Sequence, residues 1–245
     1  MIKLLDILLE SIRESNPIRI SKEVFPQIEY LWKNYSIVSY EMRSKGEEGK
    51  EVLIGSIKMK NPYKPGEKLE IPVYAKYLNK EIGAGYFSKN KNRIIVNTKI
   101  VEDKEDFIHV MHHELIHSVD PKMGKLKSVT LSTGLSNRHL YATSPKEFDA
   151  ETSTYLPILS RNLKKATKED QEIFKTDLKK FINDLLSRDV KFKSGTKIIV
   201  DYDGLLSFFD SGFSREKFSE LVSGLLQMDD KSIIKKFVQR LSTLL

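Results

Sequence analysis

The stretch HVMHHELIHSVD, residues 109–120, holds four of the five histidines of this 245-residue chain. From residue 103 to residue 119 apolar side chains recur three or four positions apart, which predicts an amphipathic helix. They are Phe107, Val110, Met111, Leu115 and Val119. Asp120 and Pro121 follow at once, and the residue before a proline disfavours helical backbone. We therefore predict that these histidines lie on one helix that ends near residue 119.

On the N-terminal side of this helix the sequence consists of short runs rich in Ile, Val and Tyr, separated by turn residues. The runs are SIVSYEM (36–42), EVLIGSIKM (51–59), LEIPVYAKYL (69–78), GYF (85–87) and NRIIVNTKI (92–100). They predict a mixed or antiparallel sheet of four or five strands, with SKNKN before the last strand as a hairpin turn. Residues 2–14 and 21–34 have helical spacing, so the N-terminal part is predicted to be α+β.

On the C-terminal side, helical spacing dominates. We predict helices over residues 144–156, 167–188, 203–211, 214–227 and 229–244. Pro157 is expected to kink or end the first of them, because proline has no N–H group to donate within a helix. The predicted organisation is an α+β part, residues 1–120, followed by a mainly helical part, residues 121–245. One integrated domain is the alternative.

The histidine helix contains the pattern HExxH, formed by His113, Glu114 and His117. Residues four apart lie one turn apart on the same helix face. Two imidazoles in that arrangement reach one Zn²⁺ at about 2.0–2.1 Å each. Glu114 lies on the adjacent face, where its carboxylate can accept a proton from a zinc-activated water. The pattern predicts a zinc site with Glu114 as general base.

The other two histidines of the helix are less suitable as metal ligands. His109 shares a face with His113 and His117, but i to i+8 spans about 12 Å, so the three cannot bind one ion. We predict that His109 is either a neighbour of the site or a surface residue. His112 points elsewhere on the helix and is predicted to have no role at the metal.

A catalytic zinc needs a third protein ligand, and the acidic residues leave several candidates. Glu147 and Glu151 lie on the helix predicted from residue 144, and Asp149 between them faces away. Glu147 could instead complete a capping box with Ser144, an explanation that does not apply to Glu151. Asp120 is better placed to steady a histidine ring as a hydrogen-bond acceptor than to bind the metal.

The sequences HELIHSVD (113–120) and EFDAE (147–151) resemble those of zincin metallopeptidases of the gluzincin type. Such enzymes pair HExxH with a later glutamate, often in an ExxA context. Glu147 matches that context and Glu151 does not. The resemblance is confined to about residues 90–160. It implies a zincin-like fold, with a small sheet packed on the active-site helix, and one Zn²⁺ bound by His113, His117 and Glu147.

HExxH followed by xxD, with a later glutamate, is similar in particular to the anthrax lethal factor-like branch of the zincins. That branch places a tyrosine shortly before the ligand glutamate, and Tyr141 occupies a comparable position. The resemblance implies that Tyr141 stabilises the oxyanion. Apart from the resemblance, we keep His139 as a weaker alternative for that role. The resemblance also implies that an edge strand binds the substrate backbone, either residues 85–87 or residues 93–97.

These observations predict a zinc-dependent metalloendopeptidase that acts on protein or peptide substrates. A catalytically silent binding or structural protein with a zincin fold, for example a virion component, is the alternative. The net charge is +7, but lysines are interleaved with acidic residues, so nucleic-acid binding is a further hypothesis without a motif to support it.

The sequence also bears on where the protein acts. We find no signal peptide and no apolar run long enough to span a membrane, and we expect no membrane partner. There is no cysteine, which removes disulfides and thiolate metal sites. A cytoplasmic or virus-associated location is the expectation.

Overall fold

The structure, a computed structural model, describes residues 23–62, 64–78, 83–119, 145–186, 201–227 and 231–245. Contacts divide the chain into two compact units. One is residues 18–128, which we call the sheet unit. The other is residues 129–245 together with 1–17, which we call the helical unit. The predicted boundary between residues 120 and 121 lies outside the described residues, as does the predicted helix over residues 2–14.

Where the structure describes it, the sheet unit combines two helices with a four-stranded mixed sheet, so the predicted α+β class and the small mixed sheet are confirmed. Its elements are α1 (Val24–Lys45), β1 (Glu51–Lys60), β2 (Lys68–Lys76), β3 (Gly85–Ser88), β4 (Arg93–Asn97) and α2 (Lys104–Val119). The strand order across the sheet is β1-β2-β4-β3.

Two antiparallel hairpins make up this sheet. β1 pairs with β2, and β3 pairs with β4 through the 3-10 turn Lys89–Lys91 and the left-handed residue Asn92 (φ 46°). Asparagine tolerates that backbone conformation better than most residues. The hairpins join where β2 runs parallel to β4, with Val73 opposite Ile94. β4 is therefore paired on both sides, and β3 is an edge strand.

Helix α1 corrects one prediction from the sequence. Residues 36–42 were expected to form a strand, but they continue the helix as far as Lys45. The buried residues of α1 recur every three or four positions, which is helical and not strand-like spacing; they are Val24, Ile28, Leu31, Tyr35, Ser39 and Met42. The helix ends at Gly46, whose left-handed backbone (φ 61°) suits glycine.

Aromatic side chains join the two helices of the sheet unit. The ring of Phe107 on α2 lies 4.7 Å from the ring of Tyr35 and 5.7 Å from that of Trp32, both on α1. The Tyr35 hydroxyl donates to the carbonyl of Val101 at 2.9 Å, just before α2 begins. Burial raises the pKa of this hydroxyl well above its usual value of 10.0. These contacts hold α2 against α1.

Among the described residues, the helical unit contains five helices. They are α3 (Pro145–Lys165), α4 (Lys168–Leu186), α5 (Asp203–Leu206), α6 (Gly212–Gln227) and α7 (Lys231–Leu241), followed by a 3-10 turn, Ser242–Leu244. All five coincide with predicted helices, although the predicted helix over residues 203–211 is confined to one turn. In the described part of the chain, no helix is long and apolar enough to cross a membrane.

Helix α3 corrects a second prediction, because it continues through Pro157 to Lys165. A proline inside a helix costs about 3 kcal/mol. Burial of neighbouring side chains offsets that cost, since Tyr155, Ile158 and Leu159 are at most 2% exposed. Burying each such side chain contributes about 1.5–3 kcal/mol. Packing therefore outweighs the local effect of the proline.

The core of the helical unit is centred on Phe218 of α6. Its ring lies 5.3–6.2 Å from the rings of Tyr155, Phe209 and Phe237, and 6.5 Å from that of Phe181. These residues come from α3, α4, α6, α7 and the segment after α5, and all are fully buried. One aromatic cluster thus fixes α3, the helix that carries the candidate acidic ligands.

Candidate metal centre

His113 and His117 lie one turn apart on α2, as predicted, and their rings meet edge to face. The two Nε2 atoms are 3.0 Å apart, with ring centroids at 4.6 Å and an angle of 84° between the ring planes. His117 is buried and His113 is partly buried. Two nitrogens bound to one tetrahedral zinc at about 2.0–2.1 Å are about 3.4 Å apart. The histidine pair therefore needs only a small adjustment to share one ion.

Among the described residues, one group of histidine and acidic side chains has the spacing of a metal site: His113, His117 and Glu147. One candidate ligand atom from each lies within 4.8 Å of the others. Two imidazoles and a carboxylate form one of the usual donor sets of a catalytic zinc, leaving the fourth position for water. The residues present thus fit the metal that the sequence predicts.

Glu147 and Glu151 both lie on α3 and are both buried, at 1% and 5% exposure. The Tyr155 hydroxyl donates to Oε2 of Glu151 at 2.5 Å. Burial, and then the neighbouring Glu151 carboxylate, raise the pKa of Tyr155 well above its ordinary value. One oxygen of Glu151 is thus engaged within its own helix. Of the two glutamates, Glu147 is the one whose carboxylate lies within 4.8 Å of both histidine nitrogens, which makes it the better third ligand.

Glu114 is 6% exposed and lies where α2 passes β3. The backbone approaches closely at this point, because Gly85 has no side chain. A methyl group on Gly85 would lie 2.5 Å from Cγ1 of Val110 and 3.8 Å from Cγ of Glu114. The carboxylate that was predicted to act as general base is therefore next to the edge strand of the sheet.

His109 and His112 are both buried, at 3% and 2% exposure. His109 is accordingly not the surface residue that the sequence left open as an alternative. The ring of His112 packs on the ring of Phe25 in α1, with centroids 4.6 Å apart. This contact gives His112 a packing role.

Three residues named from the sequence lie outside the described residues: Asp120, Tyr141 and His139. Their predicted roles, the first in steadying a histidine ring and the others in oxyanion stabilisation, stay predictions. Ser144, the proposed partner of Glu147 in a capping box, also lies outside the described residues.

Sequence reasoning missed an interaction that holds the helix of Glu147. Arg240 of α7 is 6% exposed. Its Nη2 donates to Oδ1 of Asp149 at 2.5 Å, and its Nη1 donates to the Thr152 hydroxyl. In the sequence, Arg240 is one of many basic residues in amphipathic helices. No spacing rule connects residue 240 to residue 149, so only the tertiary structure reveals the pair.

The chain matches no protein-family model, no curated protein and no solved structure.

Proposed function

We propose that this protein is a zinc-dependent metalloendopeptidase with a zincin-like fold. The observation that carries the proposal is the grouping of His113, His117 and Glu147 within 4.8 Å, with Glu114 adjacent in sequence. Two neutral imidazoles and one carboxylate would hold a single Zn²⁺ with one net negative protein charge. The chemistry supplied by bound zinc is that of a Lewis acid, which lowers the pKa of water and polarises a carbonyl group.

Glu114 performs the proton transfers in this proposal. Its carboxylate accepts a proton from the attacking water and then passes the proton to the leaving amine. Glu114 is 6% exposed, so bulk water does not compete strongly for its oxygens. Tyr141, or His139, would donate to the developing oxyanion.

The edge strand β3 gives the proposal a substrate-binding surface. In the described part of the chain β3 pairs only with β4, and we propose that an extended peptide adds to its other edge. β4 hydrogen-bonds on both sides, which favours β3 over residues 93–97 as the strand that would bind the substrate backbone. Because Gly85 lies next to Glu114, a peptide added to β3 would run past the proposed general base.

The test combines metal analysis with cleavage of an unstructured protein such as denatured casein. We expect the wild-type protein to bind one zinc per chain and to lose cleavage when a chelator removes it. Glu114→Gln should retain the zinc but cleave about 10²–10⁴-fold more slowly, the usual contribution of a general base. Glu102→Gln, in an exposed residue just before α2, is the matched control and should cleave at the wild-type rate.

A second pair of variants identifies the third ligand. Glu147→Gln should weaken zinc binding strongly, whereas Glu151→Gln should leave a protein that still takes up one zinc. Equal cleavage by wild type and Glu114→Gln would refute the mechanism. Zinc uptake without cleavage of any peptide would favour the silent zincin-fold alternative.

A further inference from the structure

Arg240 contacts three residues of α3 that immediately follow the two buried glutamates. Its guanidinium donates to Asp149 at 2.5 Å and to the Thr152 hydroxyl, and its Cζ lies 5.3 Å from the centroid of the Phe148 ring. Residues 148 and 149 follow Glu147 directly, and residue 152 follows Glu151. One side chain of α7 thus holds the turn of α3 that carries the proposed ligand.

The contacts lie on a different face of α3 from the glutamates. At 100° per residue, Phe148, Thr152 and Asp149 lie about 100–200° around the helix from Glu147, whereas Glu151 lies about 40° away. A planar guanidinium that binds two groups and stacks on a third fixes both the rotation and the axial position of a helix. Arg240 can therefore orient Glu147 without touching it.

Each of these three residues offers the guanidinium a different kind of contact. The Thr152 hydroxyl donates to the Phe148 carbonyl at 2.7 Å and accepts from Arg240, so both of its functions are used. Asp149 supplies the opposite charge that a buried guanidinium requires. The Phe148 ring provides a π face for the cation and also packs on Phe237 of α7, at 6.5 Å between centroids.

This part of α3 needs external support because of Pro157. Proline has no N–H group, so the carbonyl of Ser153 lacks the usual partner four residues on. The preceding turns rely in part on side chains, as when the Thr154 hydroxyl donates to the Ala150 carbonyl at 2.8 Å. The contacts of Arg240 from α7 restrain this part of α3, where the helix backbone lacks one of its own hydrogen bonds.

We propose that Arg240 is a positioning residue for the metal centre: through Asp149, Thr152 and Phe148 it sets the orientation of α3 that presents Glu147 to the ion. The proposal rests on the proposed function, since it assumes that Glu147 binds zinc. Docking of α7 on α3 and zinc affinity are then coupled. A helix far from HExxH in sequence would control how tightly the metal is held.

The experiment measures the zinc dissociation constant by competition with a chromophoric chelator, on full-length protein shown by circular dichroism to be folded. Arg240→Met and Asp149→Asn should each weaken zinc binding by about tenfold or more, the range seen when outer residues that orient ligands are lost. Arg240→Lys keeps the charge but not the two-point geometry, so its affinity should lie between those of wild type and Arg240→Met. Lys236→Met, in an exposed residue one turn earlier on α7, and Glu169→Gln, in an exposed residue of α4, are the matched controls and should bind zinc like wild type.

The outcomes separate this inference from the proposed function. If Arg240→Met does not fold, Asp149→Asn decides, because the Asp149 side chain is 38% exposed and asparagine fits there. A folded Asp149→Asn protein with wild-type zinc affinity would overturn the inference alone, even if its melting temperature fell. A wild-type protein that takes up no zinc would overturn the proposed function and the inference with it.

Discussion

The close approach of β3 to α2 at Gly85 can be tested by substituting alanine. The new Cβ would lie 2.5 Å from Cγ1 of Val110 and 3.0 Å from the Ile95 carbonyl oxygen. Valine in a helix has one strongly preferred rotamer, so Val110 cannot turn away at low cost. Overpacking of this kind costs about 1–3 kcal/mol. We expect Gly85→Ala to lower the free energy of unfolding by that amount.

A double-mutant cycle assigns the cost to Val110. Val110→Ala removes the clashing methyl group, and at roughly 0.8 kcal/mol per buried carbon it costs about 1.6 kcal/mol, plus a term for the cavity. In that background Gly85→Ala should cost less than about 0.5 kcal/mol. The contact with Ile95 remains, but alanine also lowers the entropy of the unfolded chain, which favours folding by about 0.4–1 kcal/mol.

The assay is urea denaturation followed by tryptophan fluorescence. The chain has one tryptophan, Trp32, which lies in the sheet unit, so its signal reports unfolding of the unit that contains Gly85. Free energies of the four proteins give the coupling energy, expected to be about 1–3 kcal/mol in favour of the double variant. Additivity of the two single effects within about 0.5 kcal/mol would refute the reasoning.

Two further predictions concern stability. Tyr35→Phe should cost about 0.5–1.5 kcal/mol at neutral pH through the lost hydrogen bond. Because burial raises the pKa of Tyr35 in the folded state above 10.0, its stabilising effect is present below pH 10 and is lost above it. Wild type should therefore lose up to about 1.4 kcal/mol per pH unit relative to Tyr35→Phe, and parallel pH profiles by Trp32 fluorescence would contradict this. Phe218→Ala should cost about 3–5 kcal/mol by circular dichroism, whereas Ile173→Ala, in a residue 51% exposed, should change stability by less than about 0.5 kcal/mol; equal effects would contradict the assigned core.

Helix α2 and the strands could be predicted because each has a local signal. The apolar spacing around HExxH and the alternating runs with turn residues depend only on neighbours in sequence. The errors occurred where tertiary packing overrode a local signal. Residues 36–42 are rich in β-branched and aromatic side chains, yet they continue α1 because Ser39 and Met42 extend its buried face. Pro157 lies within α3 because the residues around it are in the core.

In the candidate site, too, some residues could be predicted from local sequence and others depend on tertiary structure. His113, Glu114 and His117 follow from spacing on one helix, because their geometry is local. The choice between Glu147 and Glu151 depends on which carboxylate lies within reach of both histidines, and that distance is visible only in the structure. Arg240 could not be predicted, because its contacts with Asp149 and Thr152 join residues about ninety positions apart.

The parallel pairing of β2 with β4, which joins the two hairpins, affects how the sheet unit folds. Each hairpin, β1–β2 and β3–β4, pairs neighbouring segments, so both close with little loss of chain entropy. The β2–β4 pairing joins residues about twenty positions apart, as at Val73 and Ile94, and must form later or more slowly. In contrast, β3, β4 and α2 are consecutive in the chain. The helix that bears the histidines therefore contacts β3 and β4 through residues close to it in sequence. We expect mutations in β1 to slow formation of the complete sheet without altering the pairing of β3 with β4.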